Sequence, residues 1–313
     1  MSLHKRKCVY FKEGKRMRLA IVGGSLSQVL ALKVAKMLRA PFIDCEYKKF
    51  PDGEKYVRID GEVEGYEVAV IHSMHHTPDE CLVEYFLLVD TLKDLGAKKV
   101  TGVIPYFPYA RQDERFNQGE ALSLKTVASL IEKAGTDKVI TIDMHLHRIE
   151  SINKIFKIPA ENITAIPLIA QYIKENFKID KPLIIGPDEE AEQWAKTMAA
   201  ILDTDYDILE KKRISSTEVE VTPRQLQPQN RNVIIIDDII STGGTLAKTI
   251  QLLKSKGAKT IIAACTHPIL VDNALKKIYK AGAETVIATD TVPSPVSQVT
   301  VAPLIAQTLS SKS

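Results

Sequence analysis

Short runs of β-branched and aliphatic residues alternate along the chain with longer stretches in which apolar positions recur every three or four residues. Val68 to Ile71 and Val233 to Ile236 are continuous apolar runs. That is the pattern of strands buried on both faces, and hence of a mostly parallel sheet. The segment from Leu122 to Ala134 places Leu124, Val127, Ala128 and Ile131 on one helical face, and Gly135 supplies a stop. The expected architecture is therefore α/β, with helices on both faces of each sheet. In such folds ligands sit at the carboxyl ends of strands, which directs the search to the loops there.

The pattern occurs twice. Leu19 to Gly23 resembles Leu183 to Gly186, and Val68 to Ile71 has its counterpart in Val233 to Ile236. Leu92 to Lys98 matches Leu253 to Lys259. Ala134-Gly135 with Asp143 matches Ala281-Gly282 with Asp290, and Pro167 to Gln171 recurs unchanged as Pro303 to Gln307. The order is conserved between the copies, so the chain reads as one α/β unit duplicated. Counterparts draw closer together along the chain, so the first copy holds extra residues between Gly96 and Gly135, and again between Gly135 and Pro167. The first surplus falls on the loop-like run Pro105 to Arg115. Loops tolerate length change, and an insertion there is a natural seat for a new task.

At 313 residues the chain has the length of two ordinary domains, and 45% apolar content supplies their cores. Lys plus Arg number 42 against 39 Asp plus Glu. An excess of +3 gives no long-range field for nucleic acid or an anionic membrane, so neither is an expected partner and any phosphate binding must be local. No apolar stretch approaches the ~18 residues of a membrane span. Cys8, Cys45, Cys81 and Cys265 are widely spaced with no CxxC, as expected of reduced thiols in the cytoplasm. Residues 1–18 carry Lys5, Arg6, Lys7, Lys12, Lys15, Arg16 and Arg18 against Glu13 alone. Without a following apolar run they read as a solvated basic extension rather than a secretion signal. Met17, just before the first strand-like run, is a candidate alternative start, so residues 1–16 stand outside the fold reading.

The strongest chemical signal runs from Val233 to Leu246. A buried strand is expected to end in Asp237-Asp238, after which Ser241-Thr242-Gly243-Gly244-Thr245 opens a helix reaching about Lys256. Glycines allow close backbone approach, a helix N-terminus offers unpaired N–H groups, and the hydroxyls of Ser241, Thr242 and Thr245 can donate as well. That half of the loop suits a phosphate. Adjacent carboxylates would repel one and make better acceptors for sugar hydroxyls, so the run suits a phosphorylated sugar with a diol. A tight turn with an ordinary helix cap is the plainer alternative. GxxxxGK[ST], the mark of a P-loop nucleotidase, is absent.

This run resembles the phosphoribosyl-diphosphate loop of type I phosphoribosyltransferases. A duplicated unit with added loops resembles the ribose-phosphate pyrophosphokinase family, in an archaeal-like form, from about Leu19 to the C-terminus. The resemblance implies two duplicated type I phosphoribosyltransferase-like domains, each a mostly parallel sheet flanked by helices. They would span 19–162 and 163–313, with the last helix a candidate to pack on the N-terminal domain. Phe50-Pro51-Asp52-Gly53-Glu54 is similar to the family's adenine-contacting loop, which implies ATP contacts at Phe50, Asp52, Gly53 and Glu54. Tyr106 to Asp113 is similar to its Tyr-Phe-Gly-Tyr-Ala-Arg-Gln-Asp segment, implying ATP contacts at Arg111, Gln112 and Asp113. Pro108 replaces the usual glycine there, so the local turn is expected to differ.

By the same resemblance His145 and Asp188 are the metal positions, and Mg²⁺, held with waters and substrate phosphates, is the implied cofactor. His72, His75 and His76 form a more tempting cluster. They lie in the first-copy counterpart of the sugar loop, which has lost the Asp-Asp and Gly-Gly residues, and read as structural. Leu209 to Ile214 contains Lys211-Lys212-Arg213, by default a solvated charge run. In the family a flexible loop at this place carries Lys-Arg-Arg and closes over the reacting phosphates. That implies catalytic roles for Lys211 and Arg213, with Arg213 also near the sugar phosphate. The prolines that often follow in bacterial members are missing.

The implied activity converts Mg²⁺-ATP and ribose 5-phosphate to AMP and phosphoribosyl diphosphate, the entry to nucleotide biosynthesis. The 5-phosphate would sit on Ser241, Thr242, Gly243, Gly244 and Thr245, and the ring hydroxyls on Asp237 and Asp238. Two other readings are a phosphoribosyltransferase that consumes phosphoribosyl diphosphate, and a non-catalytic regulatory paralogue. The first does not need the Phe50–Glu54 and Arg111–Asp113 segments, and the second should show damage that the motifs lack. The resemblance further implies a homo-oligomer, dimer or larger, in which the adenine loop reaches a neighbouring site.

Overall fold

The computed structural model describes residues 18–115, 117–146, 149, 151–213, 219–223 and 227–311, with only the backbone of 211–213 and 219–223. The basic segment 1–17 lies outside the described residues. The first copy runs β1 (Leu19–Gly23), α1 (Gln28–Leu38), β2 (Phe42–Lys49), β3 (Lys55–Asp60), β4 (Glu67–Ile71), α2 (Pro78–Asp94), β5 (Lys99–Ile104), α3 (Ser123–Lys133), β6 (Lys138–Ile142), β7 (Ala160–Ile163) and α4 (Ile166–Asn176). The second repeats it as β8 (Leu183–Gly186), α5 (Glu192–Leu202), β9 (Tyr206–Arg213), β10 (Val219–Pro223), β11 (Val233–Ile240), α6 (Gly244–Ser255), β12 (Ile261–Pro268), α7 (Ala274–Ala281), β13 (Thr285–Thr289), β14 (Ser297–Val299) and α8 (Ala302–Ser310).

The two sheets have the same strand order, β3-β2-β1-β4-β5-β6-β7 and β10-β9-β8-β11-β12-β13-β14. All neighbours are parallel except the edge hairpins β2–β3 and β9–β10. The α/β expectation and the duplication therefore hold at the level of individual strands. The Phe50–Glu54 turn is the tip of hairpin β2–β3, and the Lys211–Arg213 segment ends strand β9 of the equivalent hairpin β9–β10, a kinship their sequences do not display. Lys211–Arg213 belongs to an edge hairpin, in which β9 pairs with β10 in register Val221↔Lys211 and Val219↔Arg213. Such an edge hairpin is held by backbone bonds and needs no apolar alternation. One expectation is corrected: the strand does not stop at Asp237-Asp238, and β11 continues to Ile240, because the equally long β12 supplies partners at Asp237↔Cys265, Ile239↔His267 and Ile240↔Pro268.

Buried aliphatic residues fill both faces of both sheets, as the continuous apolar runs require. On one face of each sheet the helices are exchanged. α4, the last helix of the first copy, buries Ile166, Ile169 and Ile173 against Trp194 and Met198 of α5 in the second copy. Reciprocally, α8 buries Ala302 and Ile305 against Leu30, Ala31 and Val34 of α1. Each swapped helix is started by the same device. Asp143, past the end of β6, accepts from the Ala165 amide at 2.9 Å, and Asp290, past β13, accepts from the Val301 amide at 2.8 Å. The surplus of the first copy takes two forms: residues 105–122 between β5 and α3 face only 269–273 in the second copy, and 143–159 between β6 and β7 face only 290–296.

Candidate active site

At the carboxyl ends of β6, β8 and β11 lies a cavity of about 260 Å³, lined by Arg111, His145, Asp188, Glu190 and the run Asp237–Leu246. Its floor is the turn into α6. Gly243 takes φ +69°, and a Cβ there would stand 3.1 Å from the Ala274 carbonyl at the start of α7. A Cβ on Gly244 would meet only Thr242 Oγ1, at 3.8 Å, so that side of the turn opens to the cavity. No side chain caps α6. The turn is a tight one with Gly243 as the N-cap, and the first N–H groups of the helix, without a side-chain cap among the described residues, are donors suited to an anion. Lys277 on α7 steadies the turn from outside, its Nζ donating to the Thr242 carbonyl at 3.1 Å.

Above the floor the acids crowd together. Asp237 and Asp238 are successive strand residues, so they leave β11 on opposite sides, Asp237 toward Asp188 and Asp238 toward His145. Burial, reinforced by the charges of Asp238 and Asp188, pushes the Asp237 carboxyl well above its ordinary range. Burial would raise Asp238 too, but the hydrogen bond and charge of His145 outweigh it and hold that carboxyl below its usual value. His145 Nδ1 stands 2.6 Å from Asp238 Oδ2. Asp188 caps the short turn Glu189–Ala191, accepting from the Ala191 amide at 3.3 Å.

Crowded carboxylates beside an imidazole form a set that a hard dication relieves. Among the described residues no three such side chains converge closely enough to cage an ion by themselves. That fits Mg²⁺, which retains water and takes substrate phosphate oxygens rather than a full protein shell.

The structure thus brings together His145, Asp188, Asp237, Asp238, Ser241 to Thr245 and Arg111. It does not bring Phe50, Asp52, Gly53 and Glu54 to this cavity. They form an exposed turn closed by the Phe50 amide on the Glu54 carbonyl at 2.8 Å. Gln112 bonds Ser123 Oγ at 2.9 Å, and neither it nor Asp113 lines the cavity, although their neighbour Arg111 does. The side chains of Lys211 and Arg213 lie outside the described residues. Glu190 and Lys277 escaped the sequence reading. Glu190 had a signal, standing beside Asp188 in an acidic run, whereas Lys277 had none, because its relation to Thr242 is tertiary.

The first copy's counterpart of this site is filled from within. Glu84 of α2 is fully buried. Its carboxylate accepts from the Ser25 amide at 2.8 Å and stands 3.0 Å from His72 Nε2 and 3.3 Å from Lys55 Nζ. The Glu84 oxygen stands off the line of a good hydrogen bond to His72. Burial alone would raise the Glu84 carboxyl, but His72 and the Ser25 amide reverse this and hold it at about 2. Of the histidine cluster, His72 alone takes part in this arrangement.

Residues 19–135 match the family described as the N-terminal domain of ribose phosphate pyrophosphokinase, and residues 151–292 match the phosphoribosyl transferase domain. The ribose-phosphate pyrophosphokinase of Methanothermobacter thermautotrophicus is 45% identical over 289 residues, covering 92% of this chain and 99% of that protein. Its namesake from Methanobrevibacter smithii is 44% identical over 301 residues, covering 92% and 99%. Among solved structures, phosphoribosylpyrophosphate synthetase from Mycobacterium smegmatis is similar with a TM-score of 0.84 and 31% identity, covering 93% of this chain and 97% of that one.

Proposed function

Because the chain belongs to the ribose-phosphate pyrophosphokinase family, we propose that it transfers the diphosphoryl group of ATP to the C1 hydroxyl of ribose 5-phosphate, releasing AMP. The observation that carries this reading is the meeting of His145 from the first copy with Asp238 from the second, 2.6 Å apart, over a turn built for a phosphate. Labour is divided along the duplication, residues 19–162 serving ATP and 163–313 serving the sugar.

The 5-phosphate docks on Ser241 to Thr245, where hydroxyls and the uncapped α6 amides donate. Asp237 and Asp238 hold the ring hydroxyls and orient the anomeric oxygen. Arg111, with Gln112 and Asp113 behind it, grips the nucleotide. Phe50, Asp52, Gly53 and Glu54, exposed on their hairpin tip, reach the nucleotide of a neighbouring protomer in a dimer or larger assembly. His145 and Asp188 hold Mg²⁺, which, when bound, neutralises phosphate charge and orients the donor. Lys211 and Arg213, on the equivalent hairpin of the second copy, close over the reacting phosphates and stabilise charge developing there. That closure excludes water, to which the same donor would otherwise be lost.

The enzyme works in the cytoplasm. In support, Cys45, Cys81 and Cys265 are unpaired, and among the described residues no helix is long and apolar enough to cross a membrane. Incubating the purified protein with Mg²⁺, ATP and ribose 5-phosphate tests the activity. Stoichiometric AMP and phosphoribosyl diphosphate are expected. Release of diphosphate from phosphoribosyl diphosphate plus a nucleobase, without AMP formation from ATP, would replace this reading with a phosphoribosyltransferase.

A further inference from the structure

His267 lies near the end of β12, 1% exposed, and does not line the cavity. Its Nε2 donates to the Ile142 carbonyl at 2.9 Å and leans toward the Asp143 carbonyl at 3.3 Å. With that proton on Nε2, Nδ1 is the acceptor nitrogen and faces the Thr291 hydroxyl at 2.9 Å, a hydroxyl that also reaches the Thr266 carbonyl at 2.8 Å. Burial holds the ring near pKa 4, so it stays neutral and keeps this tautomer at physiological pH. The preceding residue, Thr266, donates its hydroxyl to Asp143 Oδ2 at 2.7 Å. Two consecutive residues of the second copy therefore clasp the two residues that close β6 in the first.

Both ends of the clasp lead to the site. Asp143 takes φ +38°, a left-handed turn that redirects the chain just before His145. β12 is the ladder neighbour of β11, pairing Asp237↔Cys265 and Ile239↔His267. The ring of Tyr106, which opens the segment leading to Arg111, packs edgewise on His267 with centroids 5.2 Å apart.

We propose that His267 is a positioning residue, whose bonds across the two copies set the separation between His145 and the acids of β11. The proposal rests on the diphosphoryl-transfer reading, because it assigns those groups to the metal and the sugar.

The test uses full-length wild type with His267→Phe, which keeps a ring but loses both bonds, and His267→Gln, whose amide can restore the donor to Ile142. The readouts are kcat, KM for ATP, and Mn²⁺ binding followed by loss of the free-ion paramagnetic signal. For His267→Phe we expect kcat lowered about 10²-fold and Mn²⁺ affinity weakened about tenfold, with KM for ATP little changed. His267→Gln should recover most of both losses. Unchanged kcat and Mn²⁺ affinity in His267→Phe would overturn the proposal, as would equal damage in both variants without a change in Mn²⁺ affinity. Should His267→Phe fail to unfold cooperatively, Thr291→Val, which removes the Nδ1 partner together with that hydroxyl's contacts to Thr266 and Thr289, replaces it with the same expectations in smaller measure. A wild type that makes no AMP would instead fell the activity reading, and the proposal with it, whereas an active wild type with unaffected variants fells the positioning role alone.

Discussion

His145 Nδ1 and Asp238 Oδ2 stand 2.6 Å apart although the two residues belong to different copies of the duplicated unit. His145 follows β6 and Asp238 lies within β11, so one hydrogen bond joins the carboxyl ends of two separate sheets. It also keeps Asp238 ionised while its neighbour Asp237 is pushed the other way.

Asp238→Asn should keep the shape of the site and lose its charge. We expect kcat to fall about 10²-fold or more, with cooperative unfolding retained. Steady-state AMP release beside a thermal melt checks this, and near-normal turnover would remove Asp238 from the chemistry.

The two glycines of the α6 turn should respond differently. Gly243→Ala forces a Cβ against Ala274 at positive φ and should cost about 1–3 kcal/mol of stability. Gly244→Ala meets only Thr242 Oγ1, at ordinary contact distance, so its melt should match the wild type while the added methyl encroaches on the proposed phosphate seat. KM for ribose 5-phosphate is expected to rise about tenfold. Chemical unfolding and substrate titration of the pair separate the two effects.

Glu84 gives the stability a pH dependence of definite sign. Its carboxyl sits at about 2 in the fold against 4.5 for the ordinary group, so its contribution is fully present above pH 4.5. It is lost as pH falls through the interval down to about 2, by up to about 3 kcal/mol. Melts of wild type and Glu84→Gln at pH 3 to 7 test this. The variant should melt lower at pH 7, and the gap should narrow on acidification. Parallel curves would refute the assignment.

Lys211→Ala should lower kcat by about 10³-fold with little change in substrate binding, since its charge is assigned to the transition state rather than the ground state. Single-turnover assays with equilibrium binding of each substrate distinguish this from a binding defect.

The apolar runs and the repeat made the fold legible, because buried parallel strands must be continuous in sequence to satisfy both faces. The turn into α6 was legible for a similar reason: Gly243, Gly244 and the hydroxyls around them are adjacent along the chain. Asp237 and Asp238 were read as a strand end because charge inside a buried strand is rare. Only the length of β12, and His145 arriving from the other copy, explain why the ladder carries on past them. The plug at Glu84 was hidden, since its partners Ser25, Lys55 and His72 come from three different places in the first copy. The kinship of the Phe50 and Lys211 hairpins was hidden as well, because edge hairpins are specified by backbone pairing and leave little mark on composition.

The exchanged helices α4 and α8 carry a consequence for how such a molecule can change. Each half completes its partner's hydrophobic interior, so a cut between α4 and β8, near residue 180, would strip α8 from α1 and α4 from α5 together. Neither copy closes its interior alone, and separation into independent modules would expose apolar surface on both. A change of volume under either exchanged helix is therefore felt in both halves.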